Sequence, residues 1–190
     1  MMYEIKKSNR IAKARSDEFW QRENEANSVR RKDISELDYI IVPFDELPFS
    51  KNADQTIANY QSKILKLKDQ KILNLTGYTN TDLKFMYGAA NLNDLTEYDT
   101  NYTTLVSNLG LWIKALYDSD KEANHDDITT LAEYAISIGS DVSSTYKILA
   151  GIYLEDDKIP EIYNLLDKAS DLNSLNKDVI VNNIKNLLES

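Results

Sequence analysis

The single histidine, His125, stands in the run Asn124-His125-Asp126-Asp127, and a second acidic run follows at Glu155-Asp156-Asp157. Imidazole and carboxylate are the groups from which general acid–base pairs and metal sites are built. Neighbouring residues on a helix point in different directions, so His125, Asp126 and Asp127 cannot converge on one ion or one proton without a group from elsewhere in the chain. The ordinary reading is electrostatic. Asp126 and Asp127 open a helix and favour its positive N-terminal end, and Glu155-Asp156-Asp157 occupies a solvated turn between helices. The chain has no cysteine, which excludes disulfides, thiolate metal sites and cysteine nucleophiles. No Walker loop, dinucleotide-binding glycine fingerprint, nucleophile elbow or zinc-protease motif occurs. The expectation is therefore a non-enzymatic protein with no cofactor and no metal. The competing class is a small helical enzyme or effector built on carboxylates, and its mark would be a polar pocket where two or more acids from separate helices meet.

All five arginines, Arg10, Arg15, Arg22, Arg30 and Arg31, fall at the N-terminal end of a 190-residue chain whose net charge is −9. Residues 1–32 carry 9 Lys/Arg against 5 Asp/Glu, and residues 33–190 carry 13 against 26. The first stretch reads as a basic arm, and its five arginines are the candidate contacts for an anionic surface. Each basic side chain close to an anionic membrane contributes about 1 kcal/mol, but the acids among them leave a net +4, which assists an anchor rather than forming one. The plainer alternative is a solvated helix whose Phe19 and Trp20 dock on the body, with its arginines facing the acidic surface. Nucleic acid is disfavoured, because the body repels a polyanion and no zinc-finger, KH or RRM signature is present. No stretch approaches the roughly 20 apolar residues that span a bilayer, and the N-terminus lacks the apolar core of a signal peptide. The expected location is the cytoplasm, at the inner face of the cell membrane if the arm meets lipid.

Few residues are Gly or Pro, 5 and 3 respectively, which favours long helices over a sheet protein with frequent turns. The fold class predicted is mostly α. Tyr98, Tyr102, Leu105, Leu109, Trp112 and Leu116 step by three and four along one helical stripe and mark the centre of the core. Ile57, Tyr60, Ile64 and Leu67 form a second stripe, and Thr79 with Asp82 reads as a capping box opening a short helix through Leu83, Phe85 and Met86. Four helices follow near 126–138, 143–155, 160–171 and 175–188, the first ended by Gly139 in a left-handed cap. Pro43 and Pro48 interrupt residues 33–49, whose β-branched and aromatic residues predict an extended, partly buried segment in a groove on the helices. The expected organisation is a basic helical arm at 1–32, a connector packed on the body at 33–51, and an α-helical domain at 52–190.

Tyr146, Leu149, Ala150 and Tyr153, followed by Ile159, Ile162, Leu166 and Ala169, resemble the large, small and aromatic positions of a tetratricopeptide repeat over residues 143–176. The small residues Ala150 and Ala169 let paired helices approach closely while the larger ones fill the space around them. The helix from Leu175 to Leu188, with Ile180, Ile184 and Leu187 inward, looks like the terminal cap of such a stack. Leu105, Leu109 and Trp112 with Leu131, Ala132 and Ala135 resemble a degenerate preceding pair, although the linker from Asp118 to His125 is long for the repeat. The resemblance implies antiparallel helical hairpins stacked as a short array, acting as a protein–protein interaction module. Its concave face, lined by Ser144, Lys147, Gly151 and Leu154, would bind an as yet unspecified protein or peptide. Only Lys147 there suits a terminal carboxylate, so a hydrophobic groove, filled by the chain's own Ile40 to Phe49 segment, fits better. Phe19, Trp20, Glu23, Ala26, Asn27, Arg30, Asp33, Ile34, Leu37, Tyr39, Ile40, Pro43, Leu47 and Pro48 are similar to the membrane-proximal stretch of uncharacterised bacterial single-pass membrane proteins. That second resemblance implies a membrane-associated protein. Here Met1, Met2 and Tyr3 lead straight into the charged arm, where those proteins carry their membrane helix.

Overall fold

The computed structural model describes residues 2–49 and 54–189, with side chains given for residue 13 and from residue 15 onward. The Arg10 side chain and residues 50–53, where the expected connector meets the expected domain, lie outside the described residues. The described residues form eight α-helices: α1 (Met2–Asn27), α2 (Gln55–Leu65), α3 (Asn80–Tyr87), α4 (Leu92–Asp120), α5 (His125–Ser137), α6 (Ser143–Glu155), α7 (Ile159–Ser170) and α8 (Lys177–Leu188). A short 3-10 turn at Ala89–Asn91 precedes α4. No strand occurs among the described residues. The chain divides into two compact units, one formed by 1–37 and 78–97, the other by 38–77 and 98–190.

The first unit has a small core of Ala26, Ile34, Leu83 and Leu95, with polar contacts around it. Thr79 caps α3 in the capping box that its spacing with Asp82 predicts. Arg22 pairs with Asp82 at 2.6 Å. Glu23 pairs with Lys84 and accepts a bond from Thr81 Oγ1 at 2.7 Å. Asn91, fully buried, donates to the carbonyls of Lys32 and Tyr87 and accepts from Arg31 Nε at 2.8 Å. Gly88 adopts φ +88, and a Cβ there would lie 2.4 Å from the Arg30 carbonyl oxygen, so only glycine fits. The arm's charge is thus balanced locally, since this unit carries 10 Lys/Arg and 10 Asp/Glu. Phe19 and Trp20 correct the docking expectation: they are 57% and 59% exposed and pack edge-to-face on each other at 5.4 Å. The polar contacts of α1 with α3 run through Arg22 and Glu23, and the two aromatics lie toward the N-terminus of these.

The second unit carries the large core. Tyr102, Leu105, Leu109, Trp112 and Leu116 of the long helix are buried with Ile57 and Ile64 of α2, as their spacing predicts. Burying these apolar faces together is the main force holding the unit. The segment 33–49 is not continuously extended. Glu46 and Leu47 donate backbone bonds to the Pro43 carbonyl, closing a turn that lets Val42 and Leu47 reach the core while Ile41 faces solvent. Phe49 then packs on Trp112, ring centroids 5.1 Å apart. In an irregular stretch alongside, Ile72, Leu73 and Leu75 are buried. Ile40 N–H donates to the Ile72 carbonyl, Leu73 N–H to the Tyr98 carbonyl and Leu75 N–H to Asp99 Oδ1, so part of its polar backbone is paired by non-sheet partners. Tyr102 OH donates to the Gly139 carbonyl at 2.7 Å and accepts from Asn74 Nδ2 at 2.9 Å.

α6 packs against α5, α7 and α8, and α8 packs against both α6 and α7. Tyr146, Ala150, Tyr153 and Ala169 are all buried, as are Ile180 and Ile184. Leu165 rather than Leu166 is the buried leucine of α7, and Leu175 is exposed ahead of α8. The linker read from Asp118 to His125 is shorter than its sequence suggests, because α4 continues to Asp120 and leaves only residues 121–124. Gly139 ends α5 in the left-handed conformation, φ +80, with Ser140 N–H bonded to the Ala135 carbonyl and Gly139 N–H to that of Ile136. The same two-bond cap ends α6, but its left-handed residue is Asp157, φ 59.

Candidate functional site

A cleft of about 340 Å³ opens between α5, α6 and α7. The short turns after α5 and α6 return the chain so that α5 supplies Glu133, Ile136 and Ser137, α6 supplies Leu149 and Tyr153, and α7 supplies Glu161, Asn164, Leu165 and Lys168. Its floor is apolar, with Leu149, Ile136, Leu165 and the Tyr153 ring all buried. Its rim is polar, and Glu133, Ser137, Glu161, Asn164 and Lys168 are exposed. Tyr153 OH donates to Glu133 Oε1 at 2.7 Å. Burial pushes the Tyr153 phenol well above its usual range, and the bond to Glu133 and the charges of Glu133 and Glu161 push it further. Both carboxylates therefore act on Tyr153. Lys168 lies seven residues beyond Glu161 on α7, about 10 Å along the helix at 1.5 Å per residue.

Two acids from separate helices thus line one pocket, Glu133 from α5 and Glu161 from α7. Their surroundings differ from those of a catalytic acid. A carboxyl that donates protons near neutral pH is kept desolvated, whereas Glu133 and Glu161 are exposed.

A charged cluster lies where α5 starts and α6 ends. His125 Nδ1 is 3.2 Å from Asp126 Oδ1, and Nε2 is 3.1 Å from Asp156 Oδ1. Both ring nitrogens can donate only from the protonated imidazole. Hydrogen bonding to Asp126, then to Asp156, raises the His125 pKa above its ordinary value. Lys158, then His125, holds the Asp156 carboxyl below the usual range, and Lys121 closes the cluster by pairing with Glu155 at 2.7 Å. The sequence identified His125 and its neighbours, and the Asp156 partner comes from the acidic turn that was read as solvated. Among the described residues, no group of three or more His, Asp or Glu is placed to hold a metal ion.

Ser144, Lys147, Gly151 and Leu154 share one open stripe of α6. Ser144, Lys147 and Leu154 are exposed, and a Cβ on Gly151 would meet nothing within 4 Å. They line a surface away from the cleft, and none of the four is among its lining residues. Of the arm's arginines, Arg15 and Arg30 are exposed, while Arg22 and Arg31 are exposed but engaged, Arg31 with Asn91 and with Asp94 at 3.5 Å. No helix among the described residues is long and apolar enough to cross a membrane. The cleft residues Glu133, Glu161 and Lys168 carried no signal in the sequence, because each is an ordinary surface residue of its own helix. Comparison of the chain with family models, curated proteins and solved structures finds no match.

Proposed function

We propose that this protein is a non-enzymatic interaction module in which α4 to α8 stack as tetratricopeptide-like hairpins and the cleft between α5, α6 and α7 holds a short segment of a partner protein. The observation that carries this reading is the cleft itself, an apolar floor with a polar rim drawn from three helices, which is the composition of a binding pocket. The packing of α6 on α5, α7 and α8, with Ala150 and Ala169 buried at the contacts, supports the stacking. The test is selection from a random peptide library on the folded protein and on the Asn164→Trp variant, whose indole would fill the cleft. Sequences enriched by the wild type and lost by the variant support the reading. Enrichment that the variant leaves unchanged, or no enrichment, refutes it.

Exposed Phe19 and Trp20 beside Arg15 favour an additional role for the arm at an anionic membrane surface, on the cytoplasmic side. Trp112, the other tryptophan, is buried, so a blue shift of emission with anionic vesicles would report Trp20, and an unchanged spectrum would remove that role. The second reading of the cleft, a carboxylate enzyme, is favoured by the presence of Glu133 and Glu161, from two helices, in its lining. It requires turnover abolished by Glu133→Gln or Glu161→Gln.

A further inference from the structure

The charge of the second unit is uneven in a way that bears on what its cleft would hold. It carries 12 Lys/Arg against 21 Asp/Glu and so contains the whole net −9 of the chain. Glu133 of α5 and Glu161 of α7 both line the cleft, and the charges of both act on Tyr153. Tyr153 OH engages one oxygen of Glu133 and fixes that carboxylate, leaving the other oxygen free to accept. Two cations lie nearby. Lys158 is held first by Asp156 at 2.8 Å, with its ammonium 6.0 Å from the Tyr153 ring, and its charge is felt more weakly by Glu133 and Glu161. Lys168 is a cleft residue two helical turns along α7, beyond the Debye length of about 8 Å at physiological salt, so the two glutamates are offset only in part, by a Lys158 whose bonded partner is Asp156. Below the carboxylates, Leu149, Ile136 and Leu165 form an apolar floor. That combination suits a side chain with an aliphatic stem and a cationic head, which buries its methylenes while the charge meets carboxylate at the rim.

We infer that the cleft selects a partner segment bearing a lysine or arginine, whose stem lies over Leu149, Ile136 and Leu165 and whose cationic head is shared by Glu133 and Glu161. This rests on the reading of the cleft as a binding site and names its ligand class. Glu133 and Glu161 are the specificity residues, and Tyr153 is a positioning residue acting through Glu133.

The probe is a rhodamine-labelled peptide, Gly-Ala-Leu-Lys-Leu-Ala amide, beside the same peptide with norleucine in place of lysine, both titrated by fluorescence anisotropy against the full chain. Norleucine keeps the stem and removes the charge. The lysine probe is expected to bind about 10-fold more tightly, from two partly exposed charge contacts worth about 3-fold each. Glu133→Gln with Glu161→Gln should abolish that difference while leaving norleucine binding unchanged. Tyr153→Phe should weaken the lysine probe alone, and by less. Asp69→Asn with Glu122→Gln removes the same charge outside the cleft and should have no such effect. Equal binding of the two probes, lost in Asn164→Trp, overturns the charge selectivity and leaves the cleft reading standing. Lysine binding that survives Asn164→Trp, or that falls equally in the Asp69/Glu122 variant, shows general attraction to an acidic surface and overturns the inference. Binding of neither probe overturns it together with the cleft reading. Should Asn164→Trp fold poorly by circular dichroism, Ser137→Tyr blocks the cleft from the opposite wall.

Discussion

Replacing Asp157 by glycine should stabilise the protein, although it removes a side chain from the turn that forms one end of the α6–α7 hairpin. Asp157 sits at φ 59, where the side chain of an L-residue is crowded by its own backbone. The conformation is imposed by the cap: Lys158 N–H reaches the Tyr153 carbonyl at 2.8 Å and Asp157 N–H the Leu154 carbonyl at 3.2 Å. Both bonds come from backbone and survive the substitution. Relief of the left-handed strain is worth about 1 kcal/mol, offset in part by the greater freedom of glycine in the unfolded chain, about 0.5 kcal/mol. Removing a carboxylate from the negative end of α6 adds a few tenths of a kcal/mol more. The net gain is about 1 kcal/mol, which for a chain of this length raises Tm by about 2–4 °C. Asp157→Ala removes the same carboxylate but keeps the strain, so it should fall short of the glycine variant by about 1 kcal/mol. Urea unfolding followed by circular dichroism, with unchanged m-values, reads both. A glycine variant no more stable than the wild type, or an alanine variant equal to the glycine variant, would refute the assigned cap.

The lone histidine gives the protein a pH dependence of known sign. Its folded pKa is raised above the unfolded value of 6.5, so its contribution is complete below that value and lost as pH rises through the folded one. Asp156, depressed below 3.8 when folded, contributes above that value and loses its effect as acid protonates it. The stability difference between wild type and His125→Gln should therefore be larger at about pH 5.5 than at about pH 8.5, and a difference independent of pH would remove the ion pair. Gly88→Ala should cost the first unit at least about 2 kcal/mol, since it combines a forbidden φ with a clash against the Arg30 carbonyl. Limited proteolysis of residues 1–37 would report it, and undiminished resistance would contradict the close approach. Tyr102→Phe leaves the Gly139 carbonyl without its phenol donor and should cost about 1–2 kcal/mol in urea unfolding.

Periodicity carried most of what the sequence revealed. The stripe from Tyr98 to Leu116 and the pairing of Thr79 with Asp82 both depend on fixed helical spacing, and both are present in the structure. The 143–155 helix agrees in both bounds, and Gly139 ends the helix before it. What escaped were features without a period. Ile72, Leu73 and Leu75 are buried in irregular chain whose bonds come from Ile40, Tyr98 and Asp99, partners that sequence distance conceals. Asp157 could not be read as a helix cap because glycine is the residue that signals one. Phe19 and Trp20 are apolar enough to suggest docking, but no spacing rule says where a neighbouring helix stops. The cleft was the least legible, because Glu133, Tyr153 and Glu161 belong to three helices, and only their packing joins two ordinary surface acids to a buried tyrosine in one site.

The most direct measurement is a methyl-resolved NMR titration of the full chain with the unlabelled lysine peptide. Shifts centred on Ile136, Leu149 and Leu165, with Leu111 and Leu175 unmoved, are the result the cleft requires. Shifts centred instead on Leu154 of the open α6 stripe, or spread evenly over the acidic unit, would contradict it.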